Sequence, residues 1–146
     1  MSVAAVDRLH ARAYYSSTAS WIELAAPGGS FRNPGFGSEA GILQQTLDLR
    51  RVDTFTAPVS QFGPPRFDVL MYYYFIGTSQ ATPHVSGVAA MLVQQGLTDP
   101  AAIEAALEKF AIDPSTRNQR NGTRDNDFGF GEISVRNTLR GLGLAK

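Results

Sequence analysis

The stretch Gly77-Thr78-Ser79-Gln80-Ala81-Thr82-Pro83-His84-Val85-Ser86-Gly87 decides how the rest of this chain is placed. Apolar residues recur at helical spacing through residues 85–93 and cover nearly the whole circumference, which predicts a buried helix that begins close to Ser79. Pro83 favours that start, because proline is tolerated near the first turn of a helix and disrupts deeper turns. We therefore expect Thr78 or Ser79 at the helix N-terminus.

A serine at a helix N-terminus has two interpretations. As an N-cap, Thr78 or Ser79 would accept a hydrogen bond from a free backbone N–H group, which is the commoner role for these residue types. As a nucleophile, the Ser79 hydroxyl would lie beside free N–H groups and the positive end of the helix dipole, where an oxyanion is stabilised. Spacing alone leaves the capping interpretation in place.

The full string GTSQATPHVSG closely resembles the nucleophile segment GTS-x-A-x-P-H-V-x-G of the subtilisin-like serine proteases. By that resemblance Ser79 is the nucleophile, and the structural members of the motif are Gly77, Thr78, Pro83, His84 and Gly87. Five residues along a helix carry His84 about 140° around the axis and roughly 7.5 Å along it, so it cannot serve Ser79 as a base. The G-x-S-x-G elbow of α/β-hydrolases fits less well, since residues 77–81 lack the final glycine.

Residues 2–29 supply a second match to the same family. The pattern predicts a buried strand over residues 2–6, a turn over 7–10 and a second strand over 21–25 that ends at the breaker Ala26-Pro27-Gly28-Gly29. This segment is similar to the family's core strand ending VGAVD, its R-A-x-x-S element and its strand ending AAPG. Residues 41–45 resemble the G-I-L-S-T strand of the family.

The segment between these two matches is interpreted mainly as loop. Residues 28–37 are rich in Gly, Pro, Ser and Asn and are expected to form a surface loop, and residues 48–65 show no clear periodicity. The aromatic run at residues 67–76 predicts a strand that leads directly into Gly77, with core packing favoured over a substrate groove. Ile76 departs from the family, which usually has a small residue before Gly-Thr-Ser.

Two shorter helices are predicted after the central one. Gly96 is typical of a helix C-terminus, and Asp99 followed by Pro100 predicts the start of an amphipathic helix over residues 100–111. Residues 126–133 resemble the D-x-x-Y-G-x-G-x-I element of the family. Ser134 can cap a last helix, whose apolar face would be formed by Val135, Leu139 and Leu142.

The triplet Asp125-Asn126-Asp127 is the clearest cluster of oxygen ligands in the sequence. A turn is favoured over a cation site, because the triplet lacks the twelve-residue spacing of an EF-hand loop. No metal site is predicted and no cofactor is required. The family resemblance leaves calcium open, since subtilisin-like proteases often bind it at positions that differ between members.

Composition bounds the remaining possibilities. The chain has 146 residues, 43% of them hydrophobic, which suits one ordinary domain with a core. Thirteen basic and thirteen acidic residues balance, so neither a nucleic-acid nor a membrane-surface partner is expected. The sequence contains no cysteine, no apolar run near the roughly 20 residues of a membrane span and no signal-peptide pattern. A secreted location is suggested by the family resemblance.

The resemblance covers almost all of residues 1–146 but only the C-terminal half of the family's catalytic domain. It implies an α/β fold, the C-terminal portion of a subtilisin-like three-layer αβα fold with a mainly parallel sheet, about three or four strands and three helices. The D-[ST]-G, H-G-T-H and A-A-G-N strings, which carry the family's aspartate, histidine and oxyanion asparagine, do not occur here. The histidines are His10 and His84. Helix geometry excludes His84, and His10 aligns with a variable turn of the family, so no candidate base is found. The resemblance implies that the Ser79 N–H is the remaining oxyanion donor.

Two functions follow from these observations. The first is a serine endopeptidase acting on a peptide or protein substrate in the complete domain, with this chain alone nearly inert because triad members act as a unit. The alternative is a non-catalytic remnant that associates with the missing N-terminal half or another chain, since a cut parallel sheet leaves an unpaired edge and an apolar face. An esterase or lipase would need another base, and none is visible.

Overall fold

The structure, a computed structural model, describes residues 1–48, 66–120 and 122–144. Within those ranges it contains four strands, one short 3₁₀ helix and three α-helices, which confirms the α/β class. The elements are β1 (Val3–Val6), β2 (Leu24–Pro27), the 3₁₀ helix (Gly37–Ala40), β3 (Ile42–Asp48), β4 (Arg66–Phe75), α1 (Thr78–Gln94), α2 (Pro100–Lys109) and α3 (Val135–Gly141). None of the helices in these ranges has both the length and the apolar character that a membrane crossing requires.

Strands β1 and β2 form the parallel centre of the fold, in register from Val3 opposite Leu24 to Val6 opposite Pro27. A parallel bridge from Ala25 to Glu132 brings a third segment beside β2. The strands consist mainly of alanine and valine buried to 0–1% exposure, as expected where both faces of a parallel sheet are covered.

The two faces of this sheet meet different partners, because successive side chains of a strand point to opposite sides. Helix α1 packs on one face through Val85, Val88 and Leu92, and α2 extends the same cluster with Ile103 and Leu107. The other face carries a smaller cluster formed by Ala4, Val6, Ile22 and Ala25, with Phe128 packed against it. The helix-on-sheet layering places the start of α1 at the end of β2, where the Gly77 N–H donates to Gly28 O at 3.0 Å.

Strands β3 and β4 form an antiparallel hairpin, in register from Ile42 opposite Phe75 to Leu47 opposite Leu70. Both strands lie where the sequence predicts them. Their pairing is antiparallel because β4 returns along β3 into α1, so the parallel arrangement applies to the central strands only. The predicted loop covered residues 48–65, but Asp48 is the last residue of β3, because it still pairs with β4. Residues 49–65 lie outside the described residues.

The second strand begins later than the sequence suggests. The prediction was residues 21–25, but Trp21 is 72% exposed and β2 covers Leu24–Pro27. The correction comes from register: pairing with β1 starts at Leu24 and continues to Pro27, so Ala26 and Pro27 belong to the strand and not to the turn.

The loop over residues 28–37 is also less exposed than predicted. Gly28, Gly29, Ser30 and Asn33 are buried. Asn33 explains part of this, because its Nδ2 donates to Asp7 Oδ2 at 2.7 Å and holds the loop against the end of β1.

The two later helices begin as predicted. The Asp99 side chain accepts from Ala102 N–H at the start of α2, and the Ser134 side chain accepts from Asn137 N–H at the start of α3. The predicted apolar face of α3 is wrong at Val135, which is 38% exposed. Thr138 is fully buried instead, since its hydroxyl donates to Ser134 O at 2.8 Å.

Candidate active site

Helix α1 begins at Gly77, which is its N-cap, with φ 157° and ψ 161°. The Gly77 carbonyl accepts from the N–H groups of Gln80 at 3.1 Å and Ala81 at 3.2 Å. A Cβ at Gly77 would lie 2.7 Å from Gln80 Oε1, so glycine suits this position. Thr78 and Ser79 therefore lie inside the first turn and neither caps the helix through its side chain.

Ser79 is exposed and is the second residue of α1. The first N–H groups of an α-helix have no acceptor within the helix, so N–H donors and the positive end of the helix dipole accompany the hydroxyl. In the described part of the chain no hydrogen bond occupies Ser79 Oγ. The arrangement presents a free hydroxyl beside donors that can stabilise an oxyanion.

Pro83 lies in the interior of α1 and not in its first turn. Proline has no N–H, so it cannot donate to the carbonyl four residues earlier, which is that of Ser79. The Ser79 carbonyl thus lacks its helical hydrogen bond. This feature weakens the helix locally at the candidate nucleophile.

His84 contacts its own helix and not Ser79. Its Nδ1 lies 2.8 Å from Gln80 O and carries the proton, because a carbonyl oxygen can only accept. The ring also lines a cavity of about 250 Å³ between α1 and β3, together with Ile42, Gln44, Gln80 and Pro83. At Gly87, the last motif position, no described atom lies within 4 Å of where a Cβ would stand.

Tyr15 reaches the same region from the loop after β1, and sequence reasoning missed it. Its hydroxyl lies 2.7 Å from Gly28 O and 2.7 Å from Gly29 O. Burial raises the pKa of Tyr15 to about 12, against a backbone hydrogen bond from Gly77 that lowers it. The phenol is therefore a neutral donor beside the start of α1. Tyr15 lies within the residues matched to the R-A-x-x-S element, but nothing in that match signals the contact.

Glu132 is a second residue that sequence reasoning missed. Its buried carboxylate lies 2.9 Å from His10 Nδ1 and accepts from Arg117 Nη1 at 2.6 Å. Glu132 bridges to Ala25, whose side chain lies on the sheet face opposite α1. A carboxylate orients His10, as a catalytic base requires, but the structure does not bring this histidine into contact with Ser79.

Three acidic side chains form the one group among the described residues whose oxygens could share a metal ion, Glu23, Glu104 and Glu108, with ligand atoms within 4.8 Å of one another. Burial raises the pKa of Glu108, and the carboxylates of Glu104 and Glu23 raise it further. Glu23 also pairs with the N-terminal amino group at 3.5 Å. All three side chains are half-buried, and acidic groups near a protein surface are common without a metal.

The triplet at Asp125 forms the predicted turn. Asp125 Oδ1 accepts from the N–H groups of Asp127 at 2.9 Å and Phe128 at 2.7 Å, and Oδ2 accepts from Arg120 at 2.7 Å. These donors lower the pKa of Asp125 against the opposing effect of burial. The carboxylate is thus used within the turn.

An α/β sheet with a serine at the start of its central helix is one of the arrangements on which serine proteases are built. The family model for the subtilase family, peptidase S8, matches residues 1–131. The chain belongs to the subtilase family. Proteases of this family act on peptide substrates.

Individual relatives agree with this assignment. A thermophilic serine proteinase from a Bacillus species is 30% identical over 111 residues, 76% of this chain and 20% of the relative. Subtilisin-like protease 2 from Pseudogymnoascus destructans is 27% identical over 121 residues, 82% of this chain and 23% of the relative. The solved structure of a protease from Pseudoalteromonas arctica is 29% identical, covers 95% of this chain and 34% of that chain, and gives a TM-score of 0.69. The chain thus spans about a quarter or less of the curated relatives' length.

Proposed function

We propose that Ser79 is the nucleophile of a subtilisin-like serine endopeptidase that hydrolyses peptide bonds through an acyl-enzyme. The observation that carries the proposal is the exposed Ser79 hydroxyl in the first turn of α1, beside helix N–H groups. Its Oγ would attack the scissile carbonyl, and the Ser79 N–H would donate to the resulting oxyanion. No cofactor is needed, because attack, proton transfer and oxyanion binding use protein groups.

The base for Ser79 is proposed to come from outside residues 1–146. His84 is bonded to Gln80 O and His10 to Glu132, and neither contacts the serine among the described residues. Residues 1–146 would then be the C-terminal part of the catalytic domain, in line with their coverage of 20% and 23% of the curated relatives. The family resemblance supports a secreted location for the complete enzyme.

The isolated chain is expected to be nearly inert. A serine without its base is an ordinary alcohol, and removing the serine or the histidine of a triad costs about as much activity as removing all three members. Full reactivity would need an upstream half that carries the D-[ST]-G, H-G-T-H and A-A-G-N elements. This half is the proposed partner of the chain.

Exposed apolar side chains favour a second candidate function, association without catalysis. Trp21 is 72% exposed, Tyr72 67%, Leu70 58% and Leu43 52%. The last three lie on one face of the β3–β4 hairpin by their register. Exposed apolar surface of this kind marks sites of contact with another protein. This chain would then act by binding a partner and not by cleaving one.

Labelling with a fluorophosphonate, read by intact mass and peptide mapping, tests the first proposal. The folded chain alone should gain no adduct, and addition of the upstream half should give one adduct at Ser79. Labelling of the chain alone would contradict the expected inertness. Failure to label with the upstream half bound would reject the nucleophile and favour the association function.

Two variants control for position on the helix. Ser79→Ala should abolish the adduct. Ser86→Ala should keep it, because Ser86 is an exposed serine of the same helix whose hydroxyl faces Thr82 O. An adduct that survives in Ser79→Ala would assign the reactive residue elsewhere.

A further inference from the structure

The turn at Gly28 and Gly29 is held by one phenol proton. The Tyr15 hydroxyl lies 2.7 Å from both carbonyl oxygens, and Gly28 O also accepts from the Gly77 N–H at 3.0 Å. One carbonyl thus joins the tyrosine to the N-cap of α1. Ser79 follows two residues after that N-cap.

The space around Gly28 is too small for a side chain. A Cβ placed on Gly28 would lie 2.6 Å from the Ala5 side chain, 2.7 Å from Gly77 O and 2.8 Å from the Tyr15 hydroxyl. The loop at Gly28 therefore packs directly against β1 and against the start of α1, with no room for a side chain between them. A small movement of the loop must move Gly77 as well, because there is no side chain between them to absorb it.

The tyrosine is suited to hold this geometry and not to react. Burial raises the pKa of Tyr15 to about 12, so the phenol keeps its proton at neutral pH. Its neighbour Tyr14 packs edge-on against it at 5.2 Å between ring centroids and is 47% exposed. The guanidinium of Arg32, in the loop, lies 3.8 Å from the centroid of the Tyr14 ring, but among the described residues no hydrogen bond involves the Tyr14 hydroxyl. The two adjacent tyrosines therefore differ in whether the hydroxyl is used.

We propose that Tyr15 is a positioning residue that sets the place of Ser79 by clamping the Gly28–Gly29 turn against Gly77. The inference rests on the proposed role of Ser79 as nucleophile. Its physical reason is that reaction requires the attacking oxygen within a narrow range of distance and angle, and a misplacement of about 1 Å can cost on the order of 100-fold in rate. The hydroxyl acts on the backbone before the helix and not on the substrate.

Amide hydrogen exchange in the purified chain tests the clamp without any catalysis. Tyr15→Phe removes the hydroxyl and keeps the ring. Tyr14→Phe makes the same change at the adjacent residue and is the matched control. Exchange of the Gly77, Gln80 and Ala81 amides should rise up to about tenfold in Tyr15→Phe, the scale of one lost hydrogen bond. The amides of Ile103 and Ile112, bonded in distant parts of the fold, should stay unchanged.

The same two variants, combined with the upstream half, test the effect on Ser79. Fluorophosphonate labelling should have a slower chemical step in Tyr15→Phe with unchanged probe affinity. The reason is that Ser79 would be shifted from its reactive position while the probe-binding surface stays intact. Tyr14→Phe should label at the wild-type rate. If Tyr15 only stabilised the fold, Tyr15→Phe would lower the free energy of unfolding and leave the rate of the chemical step of labelling unchanged.

The outcomes separate the two proposals. Exchange that is unchanged in Tyr15→Phe, or that rises equally at Ile103 and Ile112, would overturn the clamp. Local exchange that rises without any slowing of labelling would overturn its role in positioning Ser79. A wild-type complex that never labels would reject the proposed nucleophile, while the exchange pattern would still accept or reject the clamp itself.

Discussion

Glu132 shows most clearly how a single residue depends on distant parts of the chain. Its buried carboxylate contacts His10, 122 residues away, and Arg117, 15 residues away. His10 and Arg117 have positive φ values of 62° and 61°, which is uncommon for residues other than glycine. A buried charge is tolerated only when it is paired. The need to pair the Glu132 carboxylate therefore accounts for the uncommon backbone conformations of His10 and Arg117.

The loop that carries Arg117 yields a prediction about acid stability. Hydrogen bonds from the Ser115 hydroxyl and the Thr116 and Ser115 N–H groups, together with the charge of Arg120, lower the pKa of Asp113 from 3.8 to about 2 against a small opposing effect of burial. A lowered folded-state pKa adds stability above the unfolded value, and this stability is lost as pH falls from about 4 towards about 2. Asp113→Asn should therefore show a shallower loss of unfolding free energy over that range, measured by urea denaturation.

Ser115→Ala is the companion variant for this prediction. It keeps the Asp113 carboxyl and removes the hydroxyl that lies 2.5 Å from Oδ1. We expect an acid-dependent loss between those of the wild type and Asp113→Asn. Identical acid profiles for all three proteins would show that Asp113 does not couple folding to pH.

At the scale of elements, the three helices begin in two different ways. Helices α2 and α3 are capped by side chains, those of Asp99 and Ser134, whereas α1 begins at Gly77 with no side-chain cap. A side-chain cap satisfies a free N–H group and stabilises a helix in its own right. Helix α1 instead depends on the loop beside it, where Gly28 O accepts from the Gly77 N–H.

Helix α2 gives a prediction at this scale. Asp99→Ala removes the acceptor of the Ala102 N–H and should lower the free energy of unfolding by about 1 kcal/mol. The loss should appear in global stability, because α2 supplies Ile103 and Leu107 to the core. Chemical denaturation followed by circular dichroism measures it.

Asp99→Ser is the control for this change, since serine is also a good N-cap and should stay close to the wild type. Equal losses in the two variants would mean that the carboxylate acts through its charge and not as a cap. No loss in Asp99→Ala would remove the cap as a source of stability.

At the scale of the whole molecule, the β3–β4 hairpin stands apart from the core. Its strands pair along their length with each other, while the main hydrophobic cluster is built from β1, β2, α1 and α2. A two-stranded hairpin is marginally stable by itself, and this one exposes Leu43, Leu70 and Tyr72. The molecule thus leaves apolar surface uncovered beside the start of α1.

Self-association of the isolated chain is the expected consequence. Sedimentation velocity should show species larger than the monomer that increase with protein concentration, and the double variant Leu70→Thr with Tyr72→Thr should shift the balance to monomer. Gln94→Thr changes an exposed polar residue at the C-terminal end of α1, outside this face, and should leave association unchanged. A chain that is monomeric at all concentrations would contradict the prediction.

The sequence by itself determined the elements whose signals are local. Apolar periodicity and capping residues predicted α1, α2 and α3, the aromatic run before Gly77 predicted β4, and the string around Ser79 pointed to the family. Such signals act within a few residues, so they survive without knowledge of the fold. The helix cap at Gly77 was missed because Thr78 and Ser79 are the commoner caps.

Only the tertiary structure decided the features that join distant residues. The start of β2 at Leu24 depends on pairing with β1, and the burial of Glu132 depends on His10 and Arg117. The Tyr15 contact depends on a loop that packs without side chains between strand and helix. No periodicity or motif encodes these contacts, because their energy comes from groups that become neighbours only after the chain has folded.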